Sequence, residues 1–192
     1  PYPLEEDARN LASVLRELQT EHRAASQNLT CAFRNMLGDI EGYQVQQVGG
    51  YLVTKLHHLG VDDESRAPLF ELFQESDGTL RLLGILTALY QEPARPLVAL
   101  EEPELTIHPG ALSLLWEEIQ AASGRSQMLI TTHSPDLLDM CTAEQLRVVE
   151  KVNGITHIGP ISETQKRIIK KKLFAPGQLL REQGLTRTEE SI

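Results

Sequence analysis

Pro96-Leu97-Val98-Ala99-Leu100-Glu101-Glu102-Pro103-Glu104-Leu105-Thr106-Ile107-His108-Pro109 is the stretch on which the reading of this chain turns. Its first half is an apolar run of strand length. Pro103, with no N–H to offer a neighbouring strand, stops it. The run delivers two adjacent carboxylates, Glu101 and Glu102, to the carboxyl end of a buried strand. Core packing has no use for two like charges there, because desolvation penalises each and each raises the proton affinity of the other. A cation or a reacting group facing the pair offsets that penalty. Ligands of α/β sheets bind beyond the carboxyl ends of the strands, so these acids stand where chemistry is expected.

Two further segments fall into place around this one. Upstream, Ser76-Asp77-Gly78 forms a turn directly before an apolar helical run that reaches Tyr90. Ser76 can cap that helix, and the free N–H groups of its first turn, reinforced by the helix dipole, make an anion site. An ordinary helix cap before a core helix is the plainer reading of the tripeptide taken alone. Downstream, Met128-Leu129-Ile130-Thr131-Thr132-His133 reads as a second buried strand ending in a histidine, with Ser134-Pro135 opening a short helix. Strand, helix and strand with continuous apolar strands predict a right-handed crossover in a parallel sheet.

In this order, Ser76-Asp77-Gly78-Thr79-Leu80-Arg81, then Glu101-Glu102-Pro103-Glu104 with His108-Pro109, then Thr131-Thr132-His133-Ser134-Pro135, resemble three motifs of ABC-type ATPases. They are the signature loop, the Walker B strand with its D-loop, and the switch histidine. The wording is similar to the RecF/SMC-like branch, in particular AAA-type ATPases related to the OLD family, and the resemblance covers residues 7–161. It implies an α/β fold: a partial P-loop NTPase core with a mainly parallel sheet, an antiparallel edge hairpin and an N-terminal lobe of helices and a β-hairpin. It implies ATP and Mg²⁺ as cofactors. Glu101 takes the place of the usual Walker B aspartate and would orient Mg²⁺ through water. Glu102 would orient and activate the attacking water. Ser76, Gly78 and Thr79 would reach across a dimer interface to the γ-phosphate bound on the other protomer, with Asp77 replacing the usual second glycine of the signature. His133, as a neutral imidazole, would donate to a γ-phosphate oxygen. His108 either positions the D-loop or caps the next helix.

No G-x-x-x-x-G-K-[ST] occurs in the sequence. That loop supplies the N–H cradle and the lysine for the phosphates. The chain alone is therefore expected to bind ATP poorly and to be inactive, and it reads as the C-terminal part of a longer ATPase. In the whole protein, two composite sites would form in a head-to-tail homodimer around Mg-ATP, serving DNA maintenance or anti-phage defence with DNA or a partner nuclease as what is acted upon. Two other classes stay open. One is a non-hydrolysing interaction module of the same fold. The other is a metal-dependent hydrolase built from Glu101, Glu102, Glu104, His108 and His133, whose ligand types suit a hard or borderline cation.

Composition narrows the field. The net charge of −9 argues against a general nucleic-acid-coating surface. A local exception is Lys166, Arg167, Lys170, Lys171 and Lys172, read first as a solvated helix face and second as a patch for DNA or a partner. No apolar stretch approaches the ~20 residues of a membrane span. Cys31 and Cys141 lack a metal-type spacing and read as free thiols of a reducing cytoplasm. His22, His57, His58 and His157 carry no role in this reading.

Along the chain, apolar periodicity predicts helices over 4–23 and 26–37, the second stopped by Gly38. A hairpin follows, with strands 43–48 and 51–56 about Gly49-Gly50. Residues 61–67 read as loop and 69–73 as a strand, followed by a helix over 77–90, a strand over 97–101, a helix over 110–123 and a strand over 127–131. A second hairpin spans 146–152 and 155–158 about Asn153-Gly154, and a polar helical tail runs from 163. The expected organisation is a helical and hairpin lobe at 1–67, an ATPase core half at 68–161 and a helical tail at 162–192.

Overall fold

The computed structural model describes residues 2–60 and 68–188. The loop expected at 61–67 and the end of the tail lie outside the described residues. The chain forms two compact units, Pro1–Thr131 and Thr132–Ile192.

In the first unit α1 (Leu11–Glu21) and α2 (Arg23–Leu37) lead into the hairpin β1 (Ile40–Val48) and β2 (Tyr51–His58). A short β3 (Leu69–Glu71) adds to β2, giving an antiparallel sheet of order β1-β2-β3. A 3₁₀ turn (Leu72–Gln74) connects it to α3 (Asp77–Tyr90), followed by β4 (Leu97–Glu101), α4 (Pro109–Ala122) and β5 (Gln127–Thr131). The first helix starts later than its periodicity predicts. Asn10 accepts from Glu5 N–H and donates to the Pro3 carbonyl, Asp7 accepts from Arg9 N–H, and Ala8 sits at φ 54°. These local side-chain bonds offer the backbone an alternative to the helix, and they win. Gly38, at φ 74°, ends α2 as expected.

Leu11, Leu15 and Leu18 of α1, Leu29 and Phe33 of α2, Leu82, Leu83 and Leu86 of α3, and Leu115 and Ile119 of α4 fall in a single core cluster. Helix α3 is apolar on most sides because it is enclosed. Its one fully buried hydroxyl, Thr87 Oγ1, is satisfied by the Leu83 carbonyl at 2.7 Å.

β4 and β5 pair in parallel, Leu97 opposite Gln127 through Glu101 opposite Thr131. These strands, read from the sequence as buried, are covered on one face only. Leu100, Met128 and Ile130 pack against the core, whereas Leu97 is 54% and Leu129 58% exposed, with Ala99, Glu101, Gln127 and Thr131 also open on that face. A five-residue apolar run cannot tell one-sided from two-sided burial.

The second unit contains α5 (Pro135–Asp139), the hairpin β6 (Arg147–Val152) and β7 (Ile155–Pro160), α6 (Glu163–Lys170) and α7 (Pro176–Gln183). Asn153 at φ 51° and Gly154 at φ 83° make the two-residue turn with both central residues left-handed. The hairpin is a two-stranded sheet of its own. Leu138, Ala143, Leu146, Val148 and Ile161 form this unit's core, with Ile169 and Leu180 against it. Buried Gln165 stitches α6 to the end of α7, donating to Gly184 O and accepting from Thr186 N–H at 2.9 Å each. The basic cluster lies on the solvated side of α6 and its end, where Lys170 meets Glu144 at 2.6 Å and Lys166 meets Glu163 at 3.3 Å. Among the described residues no helix is long and apolar enough to cross a membrane.

Cys31 is exposed, while burial pushes the Cys141 thiol up to about 11. Little thiolate exists at Cys141 near neutrality, and its reactivity rises only as pH approaches that value. Iodoacetamide at pH 7.5 is expected to label Cys31 at least tenfold faster than Cys141 in the folded protein. Mass spectrometry of peptides after timed quenching reads the ratio, and equal rates would contradict the burial of Cys141.

Candidate functional site

Ser76 precedes α3 in extended conformation, and its Oγ accepts from Thr79 N–H at 3.1 Å. The two hydroxyls also meet at 2.8 Å. The cap is therefore real, and it consumes part of what the turn could offer a ligand. Thr79 is buried with its hydroxyl on Ser76, while Ser76 and Asp77 are exposed. Gly78 has a steric reason to be glycine: a Cβ built there would stand 2.4 Å from the Thr106 carbonyl oxygen. The turn before α3 and the loop after β4 are thus packed backbone to backbone.

That loop starts in strained conformation. Glu102 has φ 42° and Thr106 φ 63°, both in the left-handed region that non-glycine residues avoid. Such positions cost about 1–3 kcal/mol each and persist when their surroundings over-determine them. The surroundings of Glu102 do so. Its N–H donates to the Thr131 carbonyl at 2.9 Å, extending the parallel ladder one residue past β4. Its carbonyl accepts from Leu105 N–H at 3.1 Å and from Arg81 Nη2 at 2.9 Å. The same nitrogen donates to Glu101 O at 2.7 Å. One guanidinium on α3 therefore holds both carbonyls of the acidic pair. Among the described residues, the buried Arg81 Nε has no hydrogen-bond partner.

Arg81 is the residue that reading the sequence missed. A signal for it existed: a single cation within an otherwise apolar helix must find acceptors. Pro103 is buried behind the pair, Glu101 is exposed at the strand end, and Glu102 is half-buried. His108 settles as the cap of α4, its Nδ1 accepting from Gly110 N–H at 3.1 Å with Pro109 at the first helical position. The structure brings together in one unit the Ser76–Thr79 turn, Glu101, Glu102 and the loop to His108. His133 belongs to the second unit, exposed, two residues past the Thr131 that pairs with Glu101. Ser134 N–H donates to Thr132 Oγ1 at 2.9 Å, and Ser134 caps α5 by accepting from Leu137 N–H at 3.3 Å.

Among the described residues no three Asp, Glu, His or Cys side chains converge to hold a metal ion by themselves. Mg²⁺ keeps most of its waters and takes one or two carboxylates plus substrate phosphates. Glu101, exposed at a strand end, fits that mode.

The fold is similar to that of SMC-type ATPase heads. A solved structure from work on ATP-driven dimerization and DNA-stimulated activation of SMC ATPases superposes with TM-score 0.57 at 14% identity, over 83% of this chain and 96% of that one. The Smc head of Pyrococcus furiosus bound to the C-terminal domain of ScpA gives 0.60 at 13% identity, over 83% of this chain and 40% of that one. An SmcHead bound to the C-winged helix domain of ScpA gives 0.59 at 15% identity, over 85% and 49%. Residues 4–139 match the family described as "AAA domain, putative AbiEii toxin, Type IV TA system", and the chain belongs to that family. It is also 32% identical over 95 residues to the Escherichia coli (strain K12) "Uncharacterized protein YbjD", aligning 48% of this chain but only 15% of that protein's length.

Replacing Arg81 by Met keeps the aliphatic stem and removes the nitrogen that makes both bonds. The unfolding free energy is expected to fall by about 2 kcal/mol, as for hydrogen bonds from a charged group, read as a lower denaturant midpoint at unchanged slope. Gly78→Ala is expected to cost about 1–3 kcal/mol, since the Thr106 carbonyl must move. Wild-type stability in the second variant would show that the loop does not pack on α3.

Proposed function

We propose that this chain supplies the signature, Walker B and switch-histidine half of an ATP-hydrolysing head. The observation that carries this reading is the Arg81 clamp. It joins the helix whose start is the signature turn to the strand end that carries Glu101 and Glu102. In this reading Glu101 orients hydrated Mg²⁺, Glu102 orients and polarises the attacking water, and His133 donates to a γ-phosphate oxygen. Ser76 and Gly78, with Asp77 and Thr79 shaping the turn, present N–H groups to the nucleotide of a second protomer. Mg²⁺ supplies charge neutralisation at the β- and γ-phosphates when bound.

The phosphate cradle comes from a P-loop-bearing lobe outside this sequence. The bare face of β4 and β5 supports that arrangement, because parallel strands occur almost only in sheets with both faces covered. Two heads close head to tail around two nucleotides, and hydrolysis lets them open. The work done serves DNA maintenance or anti-phage defence, with DNA or a partner nuclease as its object. The dimerising, DNA-stimulated SMC ATPases and the toxin wording of the family description support that direction.

Calorimetric titration of Mg-ATP into this chain alone is expected to give no heat of binding up to millimolar nucleotide. Micromolar binding would mean a complete phosphate site within these residues and would overturn the half-site reading. In the intact ATPase, Glu102→Gln is expected to leave ATP binding in place, lower turnover by at least a hundredfold and accumulate the closed dimer on gel filtration. Normal turnover in that variant would remove Glu102 from catalysis.

A further inference from the structure

The family match stops at residue 139, the last residue of α5, yet the chain continues through β6, β7, α6 and α7. Helix α5 has five residues and directly follows His133 and its Ser134 cap. A helix that short does not hold itself together. Leu137 and Leu138 bury its inner side, and α7 grips the rest.

The grip is made at Gly177, buried in the first turn of α7. A Cβ placed there would lie 2.1 Å from the Pro135 carbonyl oxygen and 2.7 Å from Asp139 Oδ1. Only a hydrogen lets the two helices approach so closely. The Gly177 N–H, one of the first-turn donors that a helix leaves unpaired, donates to Asp139 Oδ1 at 2.5 Å. The carboxylate sits at the positive end of α7, which favours it further. One turn on, Arg181 Nη2 meets Asp136 Oδ1 at 2.9 Å. The start, outer side and end of α5 are each tied to α7.

We infer that α7 is a brace that sets the position of the His133 segment, with Gly177 and Asp139 as positioning residues that act through α5. The inference rests on the reading of His133 as the group that meets the γ-phosphate. Pro135 is two residues from His133, so a shift of α7 is carried into the imidazole. Misplacing a catalytic group by about 1 Å can cost about a hundredfold in rate. The region beyond the family match thereby gains a role in turnover.

The test uses the ATP-hydrolysing intact protein with Asp139→Ala, Asp139→Asn and Gly177→Ala. Asp139→Asn retains an acceptor oxygen; Asp139→Ala does not. Asp139→Ala and Gly177→Ala are expected to lower kcat at least tenfold with KM for ATP within twofold of wild type, while Asp139→Asn stays within threefold. Hydrogen exchange of peptides covering 132–139 is expected to quicken in Asp139→Ala and not in Asp139→Asn, whatever happens to turnover. Unchanged exchange in Asp139→Ala refutes the brace even if Gly177→Ala fails to fold. Quickened exchange with wild-type kcat refutes its role in positioning. Glu102→Gln in the same protein separates the two readings. If that variant still turns over, the active-site assignment falls, and the exchange data alone decide whether α7 holds α5.

Discussion

Arg81 donates to the carbonyls of two successive glutamates, and the geometry of the site hangs on that pair of bonds. The backbone at Glu102 is held in a left-handed conformation that a non-glycine residue does not choose. It stays there because Thr131 takes its N–H from one side and Arg81 and Leu105 take its carbonyl from the other. A strand end fixed at both polar groups is a rigid platform. The Glu102 main chain, from which the carboxylate branches, is therefore held on both sides by bonds within the chain. The clamp also makes the turn before α3 and the acids after β4 parts of one object, since Gly78 lets the Thr106 carbonyl lie against the helix start.

Among the described residues, the sheet that carries this platform is the parallel pair β4 and β5, with one face packed on the core and the other open. Leu97 and Leu129, more than half exposed, mark the face that parallel sheets normally bury. The antiparallel β1-β2-β3 sheet has no such requirement and exposes Tyr51 and Val48 at its hairpin end. Unequal demands on the two sheets set the open face of β4 and β5 apart from the exposed hairpin end of the antiparallel sheet.

Much was legible in the residues. The strand 97–101, the helix 77–90 and the strand 127–131 are found where predicted, because caps and stops bracket each: Ser76 before α3, Pro103 after β4, Ser134-Pro135 after β5. Both hairpins follow from their two-residue turns. Helix α1 starts later than its apolar spacing predicts, because short polar side chains at Asp7 and Asn10 take the backbone for themselves. The open face of β4 and β5 leaves no mark in the apolar runs, because hydrophobicity reports what a strand is able to bury, not what covers it.

The sequence by itself determined the identity and order of the chemical groups: an N-capped turn, a paired acid at a strand end, a histidine before a short capped helix. Those are local matters, governed by turn chemistry, strand period and the position of proline. Tertiary structure alone decided that Arg81 on one element holds Glu101 and Glu102 on another, that His108 spends its ring on a helix cap, and that Gly177 must be glycine because α5 lies against it. Each of those is a contact between residues distant in the chain or a choice among hydrogen-bond partners, and neither leaves a periodic trace in the order of residues.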